Sequence, residues 1–276
     1  MRTMRRKTRF RSRTSWRVAH LCNVQHMTSL DEELAGPPWI YPWQLRNGDE
    51  VKIANAELPS IHRTRSEMIE ARVRAALAAA GPDATALDLA CNEGWFSHRL
   101  LDWGAARVLA VDVREKNLQR ATVMRDHYEI PPARLEFRRV DVFAVDPEEL
   151  GTFDVVLLLG LIYHVENPMG VIRLARACTK GLCVIESQLT RQTEPIVHGL
   201  GQSDQLHKSD GSFAIQLESG NNALASTGRV MSLIPNRVAM QQMAEVAGFG
   251  TVEFATPQPD HNPQYVRGDR AALFAS

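Results

Sequence analysis

The chain lacks the cysteine spacing that a zinc site or a disulfide scaffold needs. Cys22, Cys91, Cys178 and Cys183 form no C-x-x-C pair and no Cys/His ligand pattern. They read as the reduced thiols of a cytoplasmic protein, and no metal is expected. Long apolar runs are missing too: none approaches the ~18 residues of a membrane span, so no membrane partner is expected. Acids are absent from the first 26 positions, where Arg2, Arg5, Arg6, Lys7, Arg9, Arg11, Arg13 and Arg17 crowd together. The formal net charge of +0 therefore conceals two parts, since removing those eight leaves 24 basic against 32 acidic residues, a net of −8. A body that acidic disfavours nucleic acid, whose phosphates call for a basic face.

Residues 1–27 read as a disordered basic extension. Of a transit peptide, a nucleic-acid-binding arm and an upstream extension ahead of a true start at Met27, the last is preferred, because no amphipathic period is evident there. Residues 28–82 read as an N-terminal cap. A hairpin pairs about 40–46 with 50–54 around Asn47-Gly48, and a helix runs from Ser60 to Ala80 before the stop at Gly81-Pro82. Residues 83–276 form the main domain. Apolar strands at 86–90, 107–112, 134–140, 153–159 and 181–187 alternate with helices at 94–103, 115–128 and 168–179. That rhythm predicts a Rossmann-like α/β fold, with a seven-stranded, mostly parallel sheet covered on both faces. Residues 189–233, rich in Gly, Ser, Gln and Asn, lose the rhythm and are expected to form a lid. Pro235 is expected at the first position of a helix ending at Ala247 with Gly248 as its cap. Strands near 250–256 and 264–274 close the chain as an antiparallel pair.

The segment from Ala86 to Ser97 reads as a buried strand, a tight turn and a helix start. A second strand ends at Asp112, 24 positions after Asp88. A strand, a small-residue turn at a helix N-terminus and a distant acid for ribose hydroxyls make a nucleoside site. The turn lacks the G-x-G-x-x-G of a dinucleotide fingerprint: Ala90, Asn92 and a shifted Gly94 stand there, with Glu93 beside them. A carboxylate at that point repels a pyrophosphate and suits a ligand carrying an ammonium group.

These segments resemble the class I S-adenosylmethionine-dependent methyltransferases over about residues 84–188. Asp88-Leu89-Ala90-Cys91-Asn92-Glu93-Gly94 resembles the family's first motif, Val111-Asp112 its second-strand acid, and Val140-Asp141-Val142-Phe143 its third motif. Phe153-Asp154-Val155-Val156-Leu157-Leu158-Leu159-Gly160 resembles its fourth strand. The run from Leu161 to Pro168, with Tyr163-His164 inside it, is similar to a subgroup that holds the tRNA wobble-uridine carboxymethyltransferases and many enzymes of unassigned substrate.

The resemblance implies S-adenosyl-L-methionine as cofactor. It implies that Ala90, Asn92 and Gly94, with Cys91 in the same turn, line its methionine part, and that Asp88 holds its ammonium directly or through water. Asp112, followed by Val113, would accept the ribose hydroxyls, Asp141 the adenine amino group, and Val142 or Phe143 would lie beside the ring. Gly160 and Leu161 complete the cofactor set. Tyr163 and His164, just past a central strand, are the catalytic candidates, with His164 as the base. Glu186 and Gln188 would face the same crevice, and His198, His207, Arg229 and Asn236 are substrate candidates. Trp39, Tyr41 and Trp43 are expected to plug the gap between cap and core more than to roof the pocket. The expected activity is methyl transfer to a small molecule, by a monomer or homodimer. The rivals are a tRNA-modifying enzyme, an NAD(P)-dependent enzyme and a non-catalytic binding protein of the same fold.

Overall fold

The computed structural model describes residues 28–191, 211–218 and 230–276, with the backbone of 196–198 and 207–209. The expected extension at 1–27 lies outside these described residues. After helix α1 (Leu30–Ala35) and a bridged turn, the long helix α2 (Leu58–Ala80) leads into the alternating part. This comprises β1 (Thr85–Leu89), α3 (Trp95–Asp102), β2 (Arg107–Asp112), α4 (Glu115–His127), β3 (Leu135–Arg139), α5 (Pro147–Leu150), β4 (Phe153–Leu159), α6 (Pro168–Cys178) and β5 (Thr179–Gln188). Beyond them lie β6 (Ile196–His198), β7 (His207–Ser209), β8 (Phe213–Glu218), β9 (Val230–Pro235), α7 (Arg237–Val246), β10 (Val252–Phe254), α8 (Pro263–Val266) and β11 (Arg270–Ala275).

Seven strands form one sheet in the order β10-β11-β5-β4-β1-β2-β3. Among these strands β11 alone runs against the others, pairing antiparallel with β5 and with β10. The sheet has helices on both faces because its strands are apolar at successive positions, and side chains alternate between faces. Ala86, Ala110, Val155 and Leu157 pack with α2, α3, α4 and the cap aromatics, while Leu87, Leu89, Val156 and Leu158 pack with α6 and α7. Each fully buried Leu or Ile contributes ~1.5–3 kcal/mol of burial, so the two faces carry most of the fold's hydrophobic stabilisation.

The N-terminal cap differs in detail from the expected hairpin plus helix. Bonds from Leu45 N to Asp49 O and from Val51 N to Trp43 O close the turn, with Gly48 at φ 91°. Pairing reduces to isolated bridges, and Pro42 lacks the N–H that a continuous ladder needs. Helix α1 was not expected. Its signal is the capping box in which Ser29 and Glu32 bond each other's backbone N–H.

Two further corrections concern the C-terminal part. Pro235 ends β9 rather than opening a helix. Asn236 caps α7, its side chain accepting from Ala239 N at 2.8 Å, because an Asx oxygen satisfies an orphan donor that proline leaves untouched. The expected strand at 264–274 is shorter, with α8 preceding it. Within the expected lid, β8 and β9 pair antiparallel from Phe213↔Pro235 to Glu218↔Val230, and β6 pairs with β7. Positions 192–195, 199–206, 210 and 219–229 of that segment lie outside the described residues. β9 is tied to the loop that follows the central strand β4: Leu233 N donates to Val165 O at 3.2 Å and Met231 N to Glu166 Oε1 at 3.2 Å.

Candidate active site

The turn after β1 holds two non-glycine residues in left-handed backbone, Ala90 at φ 58° and Asn92 at φ 51°, followed by Gly94 at φ 77°. Such residues cost ~1–3 kcal/mol each and persist where surrounding contacts over-determine them. Here Asn92 N donates to Asp112 Oδ2 at 2.9 Å, tying the turn to the end of β2. Gly94 suits this position, since it has φ 77° and a Cβ there would lie 2.8 Å from the Phe137 ring, which would have to shift. Asp112 also accepts from Arg114 N at 2.8 Å and Asn117 Nδ2 at 3.3 Å. Burial raises its carboxyl pKa even so, and these donors only moderate the shift. The side-chain oxygen of Asn92 is buried without a hydrogen-bond partner among the described residues.

A cavity of about 460 Å³ runs along the edge formed by the C-terminal ends of the parallel strands. Asp141, Val142 and Phe143 line it beyond β3, Asp112 and Val113 beyond β2, Ala90 and Asn92 beyond β1, and Gly160, Leu161, Tyr163 and His164 beyond β4. Asp141 accepts from Phe143 N at 2.9 Å, and Phe143 is exposed. Tyr163 and His164 sit in a 3₁₀ turn, Ile162–His164, with ring centroids 4.1 Å apart. Asn167 caps α6 by accepting from Gly170 N at 2.8 Å.

Three expected cofactor residues do not line the cavity. Asp88 lies behind the turn, where its Oδ2 accepts from Ser97 Oγ at 2.6 Å. Burial pushes its pKa up to about 7, opposed by the Ser97 bond. Asp88 therefore stands outside the cavity wall, bonded to the first turn of α3. Cys91 is buried as an inert thiol, its pKa raised by burial. Gly94 likewise faces Phe137 instead of the cavity.

Glu93 also faces away from the cavity, so the repulsion argued from it is withdrawn. Its carboxylate accepts from Ile40 N, Tyr41 N and Arg120 Nη1 at 3.0, 3.2 and 2.8 Å. Arg120 bonds Glu33 at 2.9 Å and the carbonyls of Pro37 and Pro38, and it lies 4.5 Å from the Trp39 ring centroid. The cap is thus stapled onto α4. Trp39 and Trp43 plug the core as expected, whereas Tyr41 lines the cavity.

Glu186 faces inward rather than into the crevice and is fully buried. It pairs with Arg65 Nη2 at 2.9 Å and Arg270 Nη1 at 3.0 Å, and Tyr265 Oη donates to it at 2.7 Å. Burial alone would raise its pKa, but the two guanidiniums outweigh that and hold it below the usual carboxylate range. Arg270 Nη2 donates to Tyr163 Oη at 3.2 Å. Gln188 pairs with Arg270 in the sheet and lies outside the cavity wall. Asn236 caps α7 and lies outside the cavity wall. His198 and His207 stand opposite each other in the β6–β7 pair. Arg229 lies outside the described residues.

The sequence pattern missed Leu58, Ile61, His62 and Arg65 of α2, and Arg270, all of which wall the cavity. A signal existed: Arg65 interrupts the stripe Ile61, Ile69, Val73, Leu77, whose members are all buried at spacings of four or eight.

A family model described as a methyltransferase domain matches residues 61–253. The chain belongs to this family, the class I S-adenosylmethionine-dependent methyltransferases. That membership removes the NAD(P)-dependent alternative. The methyltransferase is similar to the ubiquinone biosynthesis O-methyltransferase of Bordetella avium, with 30% identity over 115 residues, 41% of this chain and 46% of that one. It is also similar to the tRNA U34 carboxymethyltransferase of Pseudomonas aeruginosa, with 32% identity over 104 residues, 37% of this chain and 31% of that one. In each case the match spans less than half the relative's length. Among solved structures it resembles the N-terminal domain of EvdMO1 with SAH bound, at a TM-score of 0.65 and 20% identity, covering 88% of this chain and 92% of that one. Magnesium protoporphyrin IX methyltransferase from Synechocystis PCC 6803 with bound SAH aligns at a TM-score of 0.50 and 14% identity, covering 80% and 87%. At such identities the likeness is one of fold.

Proposed function

We propose that this methyltransferase transfers a methyl group from S-adenosylmethionine to a nucleophilic atom of a small molecule. The observation that carries this reading is the cavity itself. It extends from Asp141 past Gly160 to a wall of buried side chains from α2 and β11, and its volume of about 460 Å³ is in the range of small-molecule sites. Five strand intervals separate β3 from β11, roughly 24 Å of edge at the usual strand spacing, which is room for a nucleoside and an acceptor side by side.

The residues present fit the cofactor. Asp112 holds a carboxylate at the end of β2, where its two oxygens match a cis-diol, and the unpartnered Asn92 oxygen is available to an ammonium. In this reading Asp141 takes the adenine amino group, Val142 and Phe143 flank the ring, and Ala90, Gly160 and Leu161 line the remainder. Bound S-adenosylmethionine supplies a methyl group made electrophilic by its sulfonium. The protein's share is alignment of the acceptor with that group, and His164 removes the acceptor's proton where an oxygen or nitrogen is methylated. Tyr163, oriented by Arg270, forms the wall against which the acceptor lies.

The relative that modifies tRNA motivates a second reading, in which the acceptor is a tRNA base. The net charge of −8 outside residues 1–26 favours the small molecule. Incubating the purified protein with methyl-labelled S-adenosylmethionine, total tRNA and a small-molecule cell extract separates the two. Label is expected in the small-molecule fraction. Label in tRNA would overturn the reading, and so would absence of SAH binding by calorimetry.

A further inference from the structure

The end of the cavity opposite Asp112 and Asp141 holds more positive charge than its protein partners neutralise. Two buried guanidiniums, Arg65 and Arg270, share one carboxylate, Glu186. Asp88, whose carboxyl feels the charge of Arg65, is engaged by Ser97. A net cation held away from water is costly unless something compensates it.

The bonds of the two arginines leave part of that charge facing the cavity. Arg270 directs Nε to Gln264 at 2.8 Å, Nη1 to Glu186 and Nη2 to Tyr163. Arg65 directs Nε to Tyr265 at 3.3 Å and Nη2 to Glu186, while its Nη1 donates to none of the described residues. That nitrogen lies beside Gly160, 3.7 Å from where a Cβ would stand.

His62, one turn before Arg65 on α2, supplies an independent observation. It is 4% exposed and lines the cavity, and its ring nitrogens make no well-formed hydrogen bond to the described residues, the Ile40 backbone interacting with the ring only weakly. Its ring packs on Tyr41 at 4.1 Å between centroids. Burial, then the neighbouring Arg65 and Arg270, hold its pKa well below the ordinary histidine value, so it is neutral and keeps one N–H to donate. A buried imidazole served by no more than a weak backbone contact, beside an under-neutralised guanidinium pair, is a site short of an anionic oxygen ligand.

We propose that this end is a carboxylate subsite for the methyl acceptor, with Arg65 and Arg270 supplying the charge and His62 a hydrogen bond. The inference rests on the methyltransferase reading and narrows its acceptor to carboxylic acids. The cofactor's own aminoacyl carboxylate is the other source of the same chemistry, and the test distinguishes them.

Calorimetry with SAH comes first, since failure there removes the methyltransferase reading itself. The SAH-loaded protein is then titrated with benzoate and with benzamide, following its melting temperature. Benzoate is expected to raise it in a saturable way, and benzamide to bind at least tenfold more weakly. His62→Phe, which keeps the ring and removes the nitrogens, should weaken benzoate about tenfold while leaving SAH affinity unchanged. Arg65→Gln should abolish the preference for benzoate. Equal effects of benzoate and benzamide would overturn the proposal. So would loss of SAH affinity in His62→Phe or Arg65→Gln with binding of 5′-methylthioadenosine, which lacks the aminoacyl tail, unaffected. That outcome would assign the subsite to the cofactor.

Discussion

Asp112 accepts the backbone N–H of Asn92 at 2.9 Å while lining the cavity, so one carboxylate both fixes the strained turn and faces the pocket. Asp112→Ala should therefore weaken SAH binding more than tenfold, since a charge-assisted pair of bonds is lost. It should also lower the melting temperature, because Asn92 N, Arg114 N and Asn117 lose their acceptor. Calorimetry and thermal denaturation together check this. Unchanged affinity would sink the assignment.

Removing Arg120 leaves Glu33 and Glu93 buried without their counter-ion. Arg120→Met should cost about 3–5 kcal/mol in urea unfolding. Breaking the exposed Arg46–Glu129 pair by Arg46→Ala should cost less than about 1 kcal/mol. Similar losses in the two variants would show that the cap is not stapled through Arg120.

The buried carboxyl of Asp88 makes stability depend on pH. Its pKa rises from an ordinary 3.8 to about 7 in the folded protein. Between those values the folded chain holds a proton that the unfolded chain has released, so stability contributed by this group declines as pH rises from 4 to 7 and is flat above. Asp88→Asn should flatten that decline in denaturant melts at a series of pH values. An unchanged pH profile would place the titration elsewhere.

His164→Ala should reduce turnover by about 10²–10⁴-fold if an oxygen or nitrogen is methylated. SAH affinity should remain nearly intact, as His164 stands beyond β4 and away from Asp112 and Asp141. Single-turnover kinetics beside calorimetry separate the two quantities. Undiminished turnover would make His164 structural.

Much of the nucleoside half was legible in the sequence, because it is local. β1, its turn, Asp112 and Asp141 lie within about 55 consecutive residues, and apolar strands with acids at their ends mark them. The wall formed by α2 and β11 was not legible. Arg65, Tyr265 and Glu186 come together across separations of up to 200 residues, and no local pattern specifies that meeting. Glu93 was misread for a related reason: its partner Arg120 stands on a separate helix 27 residues away, so its charge looked free. Asn236 drew a substrate role because a polar residue after an irregular segment resembles a loop ligand, whereas the backbone of α7 needed a cap.

The reversed strand β11 brings Arg270 to the same edge as Arg65, near the other end of the described chain. During synthesis the residues around β1 to β3 emerge before Arg270 and build their contacts over short loops. Arg270 is added 84 residues after Glu186, and until then Arg65 and Glu186 face an unfinished wall. A nascent chain can thus build the β1–β3 part of the cavity before the Arg65–Glu186–Arg270 wall closes, so under the proposed reading acceptor selectivity is acquired later than the nucleoside pocket.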